Sequence, residues 1–212
     1  YHVIYNKYFK NPRGFKRRAG SDYYSLSGDK ISPYDSLVKK YARNVNWDWR
    51  LLSSLIYHET HFDPRARSWV GARGLMQVMP QTGREMGYSK LFHPEQNIKA
   101  GTQYLNVLKR FWKSIPDSAE RIKFIMASYN AGAFHVRDAR RLTEKYGKDP
   151  NVWKDNVEYY LRMKSKTKFY NDEVVEYGYV RGIEPYRYVR RIMDTYKHYT
   201  NLIPDEPKKE MT

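Results

Sequence analysis

The sequence predicts an all-α fold, and three observations support this prediction. Apolar residues recur with a helical period in several separate segments of the 212-residue chain. Most of these segments are bounded by a capping residue, a proline or a glycine, which are the residues that begin and end helices. The alternation of apolar and polar residues that is typical of a strand is weak everywhere except over residues 173–179. We therefore expect a helical domain with at most a minor β element.

The helical segments follow one another along most of the chain. The first begins at Ser32, where the series Ser-Pro-Tyr-Asp has the pattern of a capping box with proline in the first turn. Asn46 is the expected cap of the second helix, which carries Glu59. The later expected helices are a short one over 82–87, a long one from 94 to 112, and others over 122–132, 136–145, 152–163 and 189–199.

Composition separates the two ends of the chain from this helical region. Residues 1–31 are rich in tyrosine, lysine and arginine and have no helical period, so we expect a basic linker or arm. Residues 32–203 form the expected folded domain, and residues 204–212 form a C-terminal tail. The first residue is tyrosine and no signal peptide is recognisable, so we take the chain to be a fragment or a processed form.

The net charge of +16 favours polyanionic partners. Nucleic acid and the polymers of a bacterial wall both fit this charge, and so does an ordinary surface with excess lysine and arginine. No base-reading motif accompanies the basic arm, so we expect no nucleic-acid partner. No apolar stretch is long enough to cross a membrane. The chain has no cysteine, which excludes a disulfide framework.

Glu59 is the leading candidate for a catalytic residue. It lies at the polar end of an apolar segment, on the same helical face as Leu52, Leu55 and Ile56. That face is expected to pack inward, so the carboxyl group lies at the edge of a core. Desolvation favours the protonated form of a carboxyl group, which is the form that a general acid needs. The alternative is an ordinary helix-end glutamate that pairs with a nearby arginine.

The residues after Glu59 favour a loop that returns over the helix end. Pro64 disfavours helix at Asp63, so the helix is expected to end just past the glutamate. The glycines within 71–74 permit a tight return of the backbone. Such a return carries back a polar strip of Ser68, Arg73 and Gln77. Asp63, four residues after Glu59, is a candidate for a second carboxylate, although an Asp-Pro pair is also explained by a turn.

Metal chemistry is not indicated by the histidines. The series His58-Glu59-Thr60-His61 is one residue shorter than the zinc-binding motif of metalloproteases, which needs its two histidines one helical turn apart. The chain also has neither a glycine-rich phosphate loop nor a nucleophile elbow. We therefore expect neither a metal nor a cofactor.

Four blocks in the expected order resemble the lytic transglycosylase domain, the goose-lysozyme-like (SLT) family that cleaves peptidoglycan. The blocks are residues 59–80, 97–105, 127–132 and 177–189, and the resemblance covers roughly residues 32–200. The last block has the form seen in membrane-bound members. Many members have Glu-Thr-Arg there, whereas this chain has Glu184-Pro185-Tyr186, so the roles of that threonine and arginine have no counterpart here. The resemblance implies an all-α, lysozyme-like fold with a substrate groove. It also makes residues 1–31 a candidate junction to an upstream solute-binding-like domain.

The resemblance also implies a role for each residue that matches a family position. Glu59 is the implied catalytic residue, the sole acid and base. The implied substrate-binding residues are Ser68, Gln77, Met79, Tyr129, Asn130, Glu184 and Tyr188. Gln77 is expected to bond an acetamido group, Met79 to pack on a sugar ring, and the Tyr129 hydroxyl to orient the glutamate. Glu176 is a weaker match for a further acidic residue of the groove.

Five of these residues also have a purely structural interpretation. In this interpretation, the Ser68 hydroxyl bonds to nearby backbone, and Met79 is buried in the core. Tyr129 fits a merely buried tyrosine, and Asn130 fits a helix-end cap. Glu184 fits an ion pair with a basic neighbour.

The activity implied by the resemblance is cleavage of the β-1,4 bond between N-acetylmuramic acid and N-acetylglucosamine. The product carries a 1,6-anhydromuramic acid end. The expected partner is the peptidoglycan glycan strand, bound by a monomer on the periplasmic side of a bacterial envelope, with outer-membrane association in the full-length protein. A lysozyme-type hydrolase and a non-catalytic wall-binding module remain as alternatives.

Overall fold

The computed structural model describes residues 30–204, which consist mainly of α-helices. The expected all-α fold is confirmed. Our predictions for residues 1–29 and 205–212, most of the basic arm and of the tail, lie outside the described residues. The helices are α1 (Asp35–Val45), α2 (Trp49–Thr60), α3 (Pro80–Glu85), α4 (Pro94–Phe111), α5 (Ser118–Ala131), α6 (Ala133–Lys145), α7 (Glu158–Met163), α8 (Thr167–Tyr170) and α9 (Ile183–Leu202), with a π-helical turn (Trp153–Val157) before α7.

The helices form two compact units. The described residues of the first unit are 30–102 and 192–204, and those of the second unit are 103–191. Between residues 30 and 204, none of the helices has the length and apolar character that crossing a lipid bilayer requires.

The first unit is built around α2. All six residues from Leu51 to Ile56 are buried, so the middle of this helix is covered on every side. Helix α1 packs against it. Ser54 lies inside this core, and its hydroxyl donates a 2.6 Å hydrogen bond to the Ile192 carbonyl. Helix α2 is therefore a firmly held support for Glu59, which lies near its end.

The structure corrects the predicted starts of α1 and α2. The Ser32 amide donates to the Asp35 carboxylate at 2.8 Å, so the expected contact between these two residues forms. The helix itself begins only at Asp35, with Tyr34 and not Ser32 at the cap position. Asn46 does not cap α2; it ends α1 in the left-handed conformation, with φ 55°. Asp48 caps α2 instead, and its carboxylate accepts from the Arg50 amide at 2.8 Å. Asparagine suits both positions, because it tolerates left-handed backbone as well as capping.

The second unit is built around α6, which packs against α5, α7 and the π-helical turn. The face of α6 that carries Val136, Ala139 and Leu142 is buried. The prediction of one continuous helix over 152–163 is wrong in its first half. Lys154 and Asp155 leave helical backbone values, and the α-helix begins only at Glu158.

The predicted β element over residues 173–179 is also wrong. The backbone N–H groups of Glu176 and Tyr177 donate to the Asp138 carboxylate, at 3.2 and 2.9 Å, and not to a partner strand. Within residues 30–204, β pairing is limited to two isolated bridges, Arg67 with Arg73 and Arg73 with Val78.

Asp138 also belongs to a buried ion pair in the second unit. The Lys164 ammonium group donates to this carboxylate at 2.6 Å, and both side chains are fully buried. Burial lowers the pKa of Lys164, although its hydrogen bond to Asp138 opposes that effect. The ammonium group also lies 3.3 Å from His135 Nδ1, and burial together with this neighbouring charge lowers the pKa of His135. The pair joins α6 to the end of α7.

Candidate active site

Glu59 lies at the end of α2, and its side chain is partly buried. The next residue, Thr60, is buried and ends the helix, so the predicted helix end just past Glu59 is confirmed. The Thr60 hydroxyl donates to the Leu75 carbonyl at 2.9 Å. This bond fixes the returning loop to the helix end beside the glutamate.

The backbone turns sharply after this helix end. His61 and Phe62 are both in the left-handed region, with φ 53° and 61°, and Gln77 has φ 49°. These are three of the five non-glycine residues between 30 and 204 that have positive φ. Such conformations cost on the order of 1–3 kcal/mol each and persist only where surrounding contacts hold them. Their concentration between residues 61 and 77 marks this segment as a candidate functional site.

The first part of the loop is a small hairpin, which we call the 66–74 hairpin. The Gly74 amide donates to the Ala66 carbonyl at 2.9 Å, and the Ser68 amide donates to the Ala72 carbonyl at 2.9 Å. The Ser68 hydroxyl in turn accepts from the Ala72 amide at 2.9 Å. The structural interpretation of Ser68 therefore holds for its oxygen as an acceptor, and the hydroxyl hydrogen is still able to be donated to a ligand.

Gln77 stabilises the same hairpin. Its Nε2 donates to the Ala66 carbonyl at 3.2 Å and to the Gly74 carbonyl at 2.9 Å. The amide nitrogen is thus committed to the protein, and Oε1 is the atom left to accept from a ligand. Met79, two residues on, is 41% exposed, which argues against its interpretation as a core methionine.

Asn97 holds this loop from inside the first unit, a role that the sequence analysis did not assign. Its side chain is fully buried on α4. Oδ1 accepts from the Met76 amide at 2.7 Å, and Nδ2 donates to the carbonyls of Arg73 and Leu91, both at 2.8 Å. The sequence did contain a signal for this role, since Asn97 stands beside Ile98 on an apolar helix face. A buried amide side chain at such a position needs hydrogen-bond partners.

Two glycines allow the loop to pack closely at this point. Gly74 has φ 69°, and a Cβ there would lie 2.2 Å from the Leu91 carbonyl oxygen. A Cβ on Gly101 of α4 would lie 2.4 Å from Met76 Sδ. A side chain at Gly74 would push the loop away from its support, whereas one at Gly101 would require the Met76 side chain to shift.

Tyr129 and Asn130 lie at the end of α5 in the second unit. Both are partly buried, and the Tyr129 ring centre lies 5.5 Å from that of Tyr104. The helix end is closed by the Gly132 amide, which donates to the Ser128 carbonyl at 2.8 Å. This backbone bond makes the cap, so the alternative role of Asn130 as a capping residue is not needed.

Glu184 and Tyr188 lie in the first two turns of α9. The side chain of Glu184 is mostly buried, and its Oε1 lies 3.6 Å from Arg181 Nε, in agreement with the ion-pair interpretation. Tyr188 is partly buried one turn further on. Glu176 is exposed and forms ion pairs with two arginines of α6 at 2.6–2.7 Å. These ion pairs account for the residue without a role in a substrate groove.

The eight predicted site residues divide evenly between the units. The first unit contains Glu59, Ser68, Gln77 and Met79, and the second contains Tyr129, Asn130, Glu184 and Tyr188. In the first unit, the bond between Thr60 and Leu75 and the 66–74 hairpin assemble one loop at the end of α2. Among residues 30–204, no three histidine, aspartate or glutamate side chains cluster so as to hold a metal ion.

Residues 36–152 match the family described as the Transglycosylase SLT domain. This chain belongs to that family. The matched range includes Glu59 and five of the other site residues, whereas Glu184 and Tyr188 lie beyond it.

Curated relatives carry names that agree with this family. The membrane-bound lytic murein transglycosylase F of Desulfosudis oleivorans is 37% identical over 193 residues, which are 91% of this chain and 42% of the relative. The protein of the same name from Shewanella halifaxensis is 39% identical over 193 residues, 89% of this chain and 39% of the relative. The chain thus spans about two fifths of the length of these relatives.

Solved structures show the same fold. The 70 kDa soluble lytic transglycosylase of Escherichia coli matches 82% of this chain and 25% of its own, with a TM-score of 0.55 and 25% identity. An inactive glutamate-to-glutamine mutant of lytic transglycosylase Slt from Pseudomonas aeruginosa matches the same shares with a TM-score of 0.55 and 21% identity, a likeness of fold alone. The expected lysozyme-like SLT fold is confirmed.

Proposed function

We propose that this chain is a lytic transglycosylase of bacterial peptidoglycan and that Glu59 is its single acid and base. The observation that carries the proposal is the position of this partly buried carboxyl group at a helix end, beside a strained loop that carries Ser68 and Gln77. Membership of the SLT family and the names of the relatives support the substrate class.

In the proposed reaction, Glu59 first donates its proton to the oxygen of the β-1,4 bond between N-acetylmuramic acid and N-acetylglucosamine. The bond from that oxygen to C1 of the muramic acid breaks, and the neighbouring N-acetyl oxygen stabilises C1. The C6 hydroxyl oxygen then bonds to C1, and the Glu59 carboxylate accepts the hydroxyl proton. The products are a 1,6-anhydromuramic acid end and a free 4-hydroxyl, formed without net addition of water.

The contacts of Asp63 support a mechanism with a single catalytic carboxylate. This carboxylate accepts from the Arg65 amide at 2.9 Å, and the Asp63 carbonyl accepts from the Ala66 amide at 3.2 Å. Asp63 is thus used to shape the turn that leads into the hairpin. It needs no role as the second carboxylate of a hydrolase.

The other residues of the loop supply contacts to the substrate. The Ser68 hydroxyl donates to a sugar oxygen, and Gln77 Oε1 accepts from an acetamido N–H. The exposed Met79 packs against a sugar ring. In the second unit, the residues proposed to bind the glycan are Tyr129, Asn130, Glu184 and Tyr188. The setting proposed for this activity is the periplasmic side of a bacterial envelope, with a monomeric enzyme and outer-membrane association of the full-length protein.

Mass spectrometry of the fragments released from purified sacculi tests this proposal. We expect the wild-type chain to release fragments with anhydro ends, which are lighter by one water than the products of hydrolysis. Glu59→Gln should lose about 10²–10⁴-fold in rate, because general acid–base catalysis contributes that much. Glu144→Gln, an exposed glutamate on α6, is the matched control and should retain activity.

Three outcomes would contradict the proposal. Reducing ends from the wild-type chain would indicate a hydrolase. A wild-type chain that binds sacculi and never cleaves them would indicate a wall-binding module. Full activity in a folded Glu59→Gln variant would place the acid elsewhere.

A further inference from the structure

The tip of the 66–74 hairpin exposes two apolar side chains. Trp69 is 65% exposed and Val70 is 52% exposed, the largest exposures among the large apolar residues described apart from Tyr179 at 55%. They are the two central residues of a turn that the Gly71 amide closes by donating to the Ser68 carbonyl at 3.0 Å. Tryptophan is seldom left in water at a turn tip, because burial of its ring is so favourable.

The support of this tip is rigid. Ser68 and Ala72 exchange two hydrogen bonds just below the turn, through the Ser68 amide and hydroxyl. One step further down, Gly74 bonds to Ala66, and the Gln77 side chain bonds to the same carbonyl. The hydrogen-bonded hairpin holds the Trp69 backbone in place, so binding a ligand here costs little conformational entropy.

Two further features indicate the kind of ligand. Arg65 and Arg67 are exposed in the segment that leads into the turn, so carboxylates are favoured near the tip. Ser68, which we propose as a sugar contact, belongs to the same turn, so a glycan bound there extends directly towards Trp69. Flat aromatic rings with a polar edge suit sugar faces, which combine apolar C–H groups with hydroxyls.

We propose that Trp69, with Val70 beside it, is a specificity-determining contact for the glycan strand, a ring on which an N-acetylated sugar stacks next to the position held by Ser68. This inference rests on the proposed function. The positive charge of the exposed arginines before the turn favours a carboxylate of the lactyl group or stem peptide nearby. A lipid surface is less well matched, because one indole and one valine offer little apolar area for insertion.

Binding measurements in a chain that cannot cleave the glycan test this inference. In the Glu59→Gln background, we would measure the Kd for a soluble N-acetylglucosamine hexamer and for purified sacculi. Trp69→Ala should weaken both by about tenfold, the effect of losing one stacking contact. Trp69→Phe should retain most of the affinity because it keeps a flat ring. Tyr159→Ala is the matched control, an exposed aromatic residue of the second unit.

The melting temperature separates this effect from misfolding. Trp69→Ala should melt as the parent does, since an exposed side chain contributes little to stability. Glycan affinity equal to that of the parent in a folded Trp69→Ala variant would overturn the inference. So would Trp69-dependent binding to anionic lipid vesicles without any effect on glycan binding, or a dimer that Trp69→Ala dissociates with glycan affinity unchanged. If the wild-type chain does not cleave the glycan but its binding still depends on Trp69, the proposed reaction is contradicted and the Trp69 contact is supported.

Discussion

Removal of the Asn97 side chain tests how the loop after α2 is supported. Asn97→Ala deletes three hydrogen bonds, and the side chain that makes them is fully buried. At about 1 kcal/mol net for each bond, the expected loss is about 3 kcal/mol, and more if the Met76 amide or the two carbonyls stay without partners. For a chain of this size, this corresponds to a fall in melting temperature of about 6–12 °C.

Urea and thermal unfolding measure this loss, and hydrogen exchange locates it. The Met76 amide should lose its protection first, because its acceptor is gone. Asn97→Asp keeps the shape and the acceptor but cannot donate to the carbonyls of Arg73 and Leu91, so it should also destabilise. Asn171→Ala, at an exposed position, is the control and should change stability by less than about 0.5 kcal/mol. A loss below about 1 kcal/mol in Asn97→Ala would refute the assignment of Asn97 as the support.

Two further predictions concern backbone and charge in the first unit. Gly74→Ala should lower the free energy of unfolding by at least about 2 kcal/mol, because its Cβ would meet the Leu91 carbonyl. Gly71→Ala has open space around its Cβ, so it should lose only the cost of left-handed backbone, about 1–2 kcal/mol. Equal losses for the two variants in urea titrations would contradict the clash at Gly74. Burial raises the pKa of Asp48, but hydrogen bonds from Arg50 outweigh it and hold that pKa below its usual value of 3.8. A carboxyl group with a lowered pKa stabilises the fold above its unfolded pKa, and this contribution disappears as the pH falls through the folded pKa. Wild type should therefore lose stability below about pH 4 more steeply than Asp48→Asn, and parallel curves of unfolding free energy against pH would exclude this ion pair as the cause.

Local sequence rules predicted the parts of the fold that depend on neighbouring residues. The contact before α1 is one example, since Ser32 and Asp35 lie three residues apart and satisfy each other. The end of α2 is another, since Pro64 disfavours helix at the preceding Asp63. The choice between Asn46 and Asp48 as the cap of α2 was not determined by such rules, because both residues are good caps. The left-handed backbone at Asn46 decides it.

Long-range contacts explain what the sequence analysis missed. Residues 173–179 alternate like a strand, but Asp138, 38 residues before Glu176, accepts the backbone N–H groups that a strand would have paired. Gln77 was assigned from its motif position. The commitment of its amide nitrogen to Ala66, 11 residues earlier, becomes visible only in the fold. The same holds for Asn97, which serves backbone groups up to 24 residues away.

The ion pair between Lys164 and Asp138 also restricts how this sequence can diverge. Loss of either partner alone strands a charge in the interior and costs about 3–5 kcal/mol, a large share of the 5–15 kcal/mol that holds a typical domain together. Joint replacement by two apolar residues strands no charge, although the backbone N–H groups of Glu176 and Tyr177 then need a new acceptor. Descendants of this sequence are therefore expected to inherit both residues or to exchange both within a short evolutionary interval, so that the two positions covary.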